Sequence, residues 1–147
     1  MNDKIKFVLA SNSPRRKQLF GLGGWEFIVI VADIDETPFE DESPREYVVR
    51  LAKAKALAIQ PRAESDAVIL GSDTTVVDGN EILGKPVDES DARRMLTQLR
   101  GRVHQVYTAI AIRRDGKMVT DLSIIDVPMR DYSDAEIEAY IKTGDPM

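Results

Sequence analysis

Phe7 to Ala10 is a short apolar run that leads through Ser11-Asn12-Ser13 straight into Pro14 and a helix start. Ser13 suits the N-cap and Pro14 the first helical position, so a strand over 6–10 turns directly into a helix ending near Gly21. A strand that feeds a helix in this way buries its apolar face by carrying the helix on a sheet. The alternation repeats. Phe27 to Val31 reads as a second strand, followed by an acidic loop from Asp33 to Thr37. Ser43 and Glu46 form a capping box around Pro44, opening a helix to about Ala58. Ala67 to Gly71 is an apolar strand ending at Ser72-Asp73. Beyond it the pattern turns hairpin-rich: Val76-Val77 and Ile82-Leu83 flank Asp78-Gly79, and the strands 104–114 and 118–126 flank Asp115-Gly116. Asp88 caps a helix to Arg100, closed by Gly101, and Ser133 with Glu136 opens a last helix ending at Thr143-Gly144. The expectation is one α/β domain over 1–147, a mixed β-sheet flanked by helices.

The 147 residues suit one domain with a real core, and 43% hydrophobic with 31% charged residues is globular composition. With no cysteine, disulfides and thiolate metal sites are excluded. The N-terminal apolar run is far too short for a signal peptide or membrane span, so a cytoplasmic location without membrane partner is expected. A net charge of −5 does not suggest a nucleic-acid binder. A polyanionic small ligand would need basic residues concentrated locally.

Three constellations carry chemistry. In Ser11-Asn12-Ser13-Pro14-Arg15-Arg16 a loop of small polar residues meets a helix N-terminus, where free N–H groups and the helix dipole favour an anion. Arg15 and Arg16 sit in that first turn against the dipole, and a bound phosphate would offset the cost. The plainer alternative is that both arginines are solvated or paired with carboxylates. The second constellation is acidic: Asp33, Asp35 and Glu36 after one strand, and Asp73 at the carboxyl end of another, where α/β sheets gather ligands. Mg²⁺ takes one or two carboxylates beside substrate phosphates, so Glu36 with Asp73 would suffice, while Asp33 and Asp35 read more simply as a solvated loop. The third, Gly79 to Pro86, only superficially matches a P-loop. Pro86 replaces the hydroxyl residue that reaches Mg²⁺, and no strand leads into the first glycine. Lys85 can still present its ammonium to a phosphate. His104, the only histidine, reads as a hydrogen-bonded structural residue, and the serines lack a base partner, so the chemistry points to metal and carboxylate.

Together these segments resemble the Maf family of nucleoside triphosphate pyrophosphatases. The matching stretches are Leu9 to Arg16, Asp35-Glu36-Thr37, Arg50 to Ala56, Gly71 to Val76, Ile82 to Pro86, and Arg100 to His104 with Tyr107-Thr108, in family order over nearly the whole chain. The resemblance implies an ITPase-like mixed sheet and cleavage between the α and β phosphates with Mg²⁺ or Mn²⁺. It implies that Ser11, Arg15, Arg16, Lys55 and Lys85 grip phosphates and that Glu36 and Asp73 serve metal and water, with Asp73 as base. Lys55 is preferred to Lys53 on this ground. The family pattern continues past Thr-Gly-Asp-Pro into a further segment with a Tyr and a Gln, which is expected to be missing here because the chain stops at Met147.

Within the family, Arg15-Arg16 and Thr74 resemble the subgroup that takes dTTP and UTP. Members preferring methylated guanosine triphosphate tend to carry Trp after the Pro, and the one Trp here, Trp25, lies elsewhere. A nucleoside triphosphate is thus the expected partner, with a homodimer left open. The alternative function is a nucleotide-binding regulator of cell division or septum formation without significant catalysis.

Overall fold

The computed structural model describes residues 5–11, 13–24 and 26–144. In chain order the elements are β1 (Phe7–Ala10), α1 (Pro14–Gly21), β2 (Phe27–Val29), α2 (Pro44–Ile59), a 3-10 turn (Gln60–Arg62), β3 (Val68–Asp78), β4 (Glu81–Leu83), α3 (Glu89–Leu99), β5 (Val103–Arg114), β6 (Lys117–Pro128) and α4 (Asp134–Lys142). The strands form a six-stranded sheet of order β2-β1-β3-β5-β6, with β4 pairing β3. It is mixed: β1 runs parallel to β2 and β3, whereas β4 runs antiparallel to β3. The expected mixed sheet with four helices is therefore present.

Contacts divide the chain into two compact units, Met1–Thr74 with Thr108–Ser123 and Thr75–Tyr107 with Ile124–Met147. The first holds the parallel strands, in register Phe7↔Phe27 and Leu9↔Val29 on one side of β1, Phe7↔Val68 and Ala10↔Gly71 on the other. Val8 and Leu9 of β1, Val48, Leu51, Ala52, Ala56 and Ile59 of α2, and Ile69 of β3 are its buried core. α1 contributes Phe20, which meets Phe27 edge-on with ring centroids 4.7 Å apart. The helix α2 lies very close to β3. A Cβ built on Gly71 would stand 2.2 Å from the Ala52 carbonyl oxygen and 2.8 Å from the Ala56 nitrogen, so only glycine fits.

In the second unit α3 and α4 share an apolar contact of Ala92, Ile137 and Ile141, with Leu96 and Tyr132 packed against it. The Tyr132 hydroxyl donates to the Leu96 carbonyl. The hairpin β3–β4 is tied to α3 through Asp78. Its carboxylate accepts from Gln98 Nε2 at 2.8 Å and from both terminal nitrogens of Arg102 at 2.8 and 3.0 Å. Gln98 bridges on to Glu81 at 2.9 Å.

Most expected boundaries hold to within a few residues; four details differ. The β3–β4 turn is Gly79-Asn80 and not Asp78-Gly79, because Asp78 stays in the strand opposite Glu81. β3 does not stop at Ser72-Asp73 but continues to Asp78. Ser72, Asp73 and Thr74 read as a turn by polarity, yet Thr74-Thr75-Val76-Val77 is β-branched throughout and favours extended backbone. The capping box at Ser43 is half formed: its hydroxyl accepts from the Glu46 N–H, but the reciprocal bond is found among the described residues only at Ser133 and Glu136. β2 ends at Val29 instead of Val31. The turn Asp115-Gly116 does close β5 on β6, with φ of 52° and 76°, the positive pair a tight hairpin demands. Among the described residues, no helix is long and apolar enough to cross a membrane. Trp25 and Asn12 lie outside the described residues.

Candidate active site

The parallel register decides where a site can form. β1 ends at Ala10 opposite Gly71, so Ser72, Asp73 and Thr74 run on past the carboxyl end of β1. Open α/β sheets bind ligands beyond the carboxyl ends of their parallel strands. Asp73 thus lies beyond a strand end for a reason other than the expected one: its neighbour strand ends, not its own. The loops leaving β1 and β2 start at the same edge and carry Ser11 and Glu36.

Ser11 is buried, and its hydroxyl accepts from the Ser13 N–H at 3.0 Å. Ser13 in turn caps α1, accepting from the Arg16 N–H at 3.3 Å. This succession of small hydroxyl residues holds the loop at the helix start. Arg16 does not wave into solvent, as the plainer alternative had it. Its guanidinium donates to the Ser72 carbonyl at 3.3 Å and to the Thr74 hydroxyl at 2.8 Å. Thr74 is linked by a 3.2 Å hydroxyl contact to Thr108. Burial works against the Arg16 charge, while the carboxylates of Asp73 and Glu36 support it. Arg15 is exposed on α1, and no hydrogen bond or ion pair holds it among the described residues.

The centre of the cluster is Lys55. Its ammonium stands 3.0 Å from Asp73 Oδ1 and 3.3 Å from Glu36 Oε1, and it donates to the Ser72 carbonyl at 3.4 Å. The Asp73 side chain is 9% exposed and that of Glu36 55%. Burial pushes the Asp73 carboxyl above the ordinary aspartate value, and Lys55 opposes that shift with its charge and hydrogen bond. The α2 position explains why Lys55 is there and Lys53 is not. Tyr47, Leu51 and Lys55 recur at the i, i+4 spacing of one helical face, and that face is the buried one. Lys53 falls outside the stripe and is exposed.

Two carboxylates that approach one cation within 3.3 Å are a suitable oxygen donor set for a divalent ion that draws its remaining ligands from phosphate and water. Among the described residues no group of three or more His, Cys, Asp or Glu offers a fuller cage. The residues fit a metal shared with substrate. The structure brings together Glu36, Lys55 and Asp73, and separately Arg16 and Thr74, with Ser11 at the same strand end. Lys85 is exposed just after β4, in the second compact unit. Asp35 is occupied locally: its Oδ1 accepts from the Thr37 N–H at 3.0 Å and hydroxyl at 2.7 Å. His104 is buried as a structural residue would be, but its Nδ1 finds no hydrogen-bond partner among the described residues, and burial lowers its pKa.

Sequence reasoning gave no role to Tyr47 and Arg50. The Tyr47 hydroxyl donates to the Glu36 carbonyl at 2.7 Å, and Arg50 donates to the Thr37 carbonyl at 3.1 Å. A tyrosine in the apolar stripe two turns before Lys55 was the available signal.

A family profile described as Maf-like protein matches residues 6–147. A dTTP/UTP pyrophosphatase of Shewanella sp. (strain MR-7) is 47% identical over 152 residues, covering 97% of this chain and 77% of the relative. One from Vibrio cholerae is 42% identical over 141 residues, covering 96% and 75%. Among solved structures, the Ham1 protein of Staphylococcus aureus superposes with a TM-score of 0.59 at 17% identity, over 86% of this chain and 72% of that one. A HAM1 protein from Coxiella burnetii gives 0.58 at 17%, over 87% and 74%. At such identities these two show the shared fold alone.

Proposed function

The chain belongs to the Maf family, and from that membership we propose that it hydrolyses dTTP and UTP to the nucleoside monophosphate and pyrophosphate in the cytoplasm, with residues 1–147 acting as one Maf-like domain. The observation that carries the reading is the Glu36–Lys55–Asp73 cluster at a parallel strand end, flanked by Arg16. Asp73 accepts the proton of the attacking water. Its Oδ1 is engaged by Lys55, which leaves Oδ2 for that proton. The water oxygen bonds to the α-phosphorus, the bond from that phosphorus to the α,β-bridging oxygen breaks, and pyrophosphate leaves with the electron pair. Arg15 and Arg16 grip the phosphates, and Ser11 with the α1 N-terminus offers further donors. Glu36 and Asp73 would hold Mg²⁺ or Mn²⁺, which when bound neutralises phosphate charge and acidifies water.

The pyrimidine preference rests on Thr74 and Arg16, whose hydrogen bond presents a fixed hydroxyl–guanidinium pair. Phosphorus NMR of a dTTP digest should show thymidine monophosphate and pyrophosphate. Thymidine diphosphate with orthophosphate as main products would overturn the reading. In a nucleotide panel, kcat/KM for dTTP and UTP should exceed that for 7-methyl-GTP at least tenfold, a difference of about 1.4 kcal/mol. The reverse order would remove Thr74 and Arg16 from base selection.

A further inference from the structure

Glu36 stands on a segment, residues 30–43, that has neither helix nor strand, and its side chain is half exposed. A carboxylate on such a loop contributes little to a site unless something holds its backbone, because an unrestrained loop samples many positions. We propose that Tyr47 and Arg50 are positioning residues that clamp this loop to α2 so that the Glu36 carboxylate meets Lys55 and Asp73. The proposal rests on the reading of Glu36 and Asp73 as the metal-bearing pair.

The contacts converge on the two successive peptide units that follow Glu36. Tyr47, only 8% exposed, donates its hydroxyl to the Glu36 carbonyl at 2.7 Å. Arg50 takes the next carbonyl, that of Thr37, at 3.1 Å. The same guanidinium engages Glu42 with Nε at 2.6 Å and a terminal nitrogen at 2.9 Å, and it lies 3.8 Å over the Phe39 ring. Glu42 also accepts the Phe39 N–H at 3.0 Å. One arginine therefore spans Thr37, Phe39 and Glu42, closing the loop on itself and on the helix.

Arg50 belongs to a family-like stretch with Lys55, and a cation there could equally grip phosphate. Its geometry favours positioning, since Glu42 and the Thr37 carbonyl take Nε and one terminal nitrogen and the guanidinium lies over Phe39. Lysine lacks that planar fork and could not make the same set. All three grips on Glu36 come from one rigid element. Tyr47 and Arg50 fix the backbone just after Glu36, and Lys55, farther along the same helix, receives the carboxylate. At about 1.5 Å per residue, α2 acts as a ruler of constant length between them.

The test uses the full chain with Tyr47→Phe, Arg50→Lys and Glu36→Gln, reading Mn²⁺ affinity by electron paramagnetic resonance, amide exchange over residues 35–42, and melting temperature. Tyr47→Phe and Arg50→Lys should each weaken Mn²⁺ binding about three- to tenfold and speed exchange in the loop, with a cooperative melt retained. Tyr47→Phe combined with Glu36→Gln should bind Mn²⁺ no more weakly than Glu36→Gln alone. If Glu36→Gln weakens Mn²⁺ binding but Tyr47→Phe and Arg50→Lys leave it unchanged, the clamp is wrong and the site reading stands. If Glu36→Gln itself changes nothing, the site reading fails and the proposal falls with it.

Discussion

Lys55 is part-buried beside the apolar residues of α2 yet reaches two carboxylates, and the energetics of the site turn on that ammonium. Asp73 is shielded from water, which works against its negative charge, and Lys55 chiefly, with Arg16, offsets that cost. Asp73→Asn keeps the shape and removes both basicity and charge. Turnover of dTTP should fall at least about a hundredfold, as loss of a general base does, with the circular dichroism spectrum unchanged. Steady-state pyrophosphate release measures it, and turnover within threefold of the parent would mean that Asp73 is only a strand residue. Arg16→Ala should act differently, chiefly on binding. A charge-assisted hydrogen bond contributes about 1.5–3 kcal/mol, so triphosphate affinity should drop tenfold or more by calorimetry. At this scale much was legible. The strand-to-helix junction points to Arg16, which the structure ties to Ser72 and Thr74. Lys55 is preferred to Lys53 only through the family resemblance, its place on the buried face of α2 being visible in the structure. The backbone carbonyls of Ser72 and Glu36, which organise Arg16, Lys55 and Tyr47, leave no trace in side-chain identity.

Elements tell a similar story with one instructive exception. Caps and turn dipeptides located α1, α2, α3, α4 and the hairpins because each satisfies a local backbone need that residue identity reveals. The length of β3 was not legible. Its polar middle reads as a stop, but strand continuation depends on neighbours supplied from remote sequence. Two ties between elements yield measurable consequences. Arg50, through its hydrogen bonds, holds the Glu42 carboxyl below the ordinary glutamate value. Stability from that pair is fully present above the ordinary value and is lost as pH falls through the lowered one. The parent should therefore lose melting temperature on acidification more steeply than Arg50→Met, with calorimetric melts across the acidic range as the check; parallel slopes would count against the linkage. In the second unit, Asp78→Ala strips three hydrogen bonds from Gln98 and Arg102. A charged hydrogen bond is worth about 1.5–3 kcal/mol, and the exposure of Arg102 puts the loss near the lower end. Urea unfolding should show a lowered midpoint at constant slope.

At the scale of the molecule, alternation of strand and helix specified a mixed sheet, but not the order β2-β1-β3-β5-β6 or the parallel register that puts Asp73 beyond Ala10. Those arise from long-range packing, and part of that packing turns on Gly71. Gly71→Ala would drive a methyl into the backbone of α2. Overpacking costs about 1–3 kcal/mol where side chains can yield, and a backbone contact yields less readily, so melting temperature should drop clearly. The same missing methyl also sets a machine tolerance. Lys55 lies between Ala52 and Ala56, the two residues that touch Gly71, and Asp73 lies two positions along the strand. The gap across which ammonium meets carboxylate is thus gauged by a seat one atom deep. A few tenths of an ångström of shim at Gly71 would open that gap without altering any residue that touches substrate.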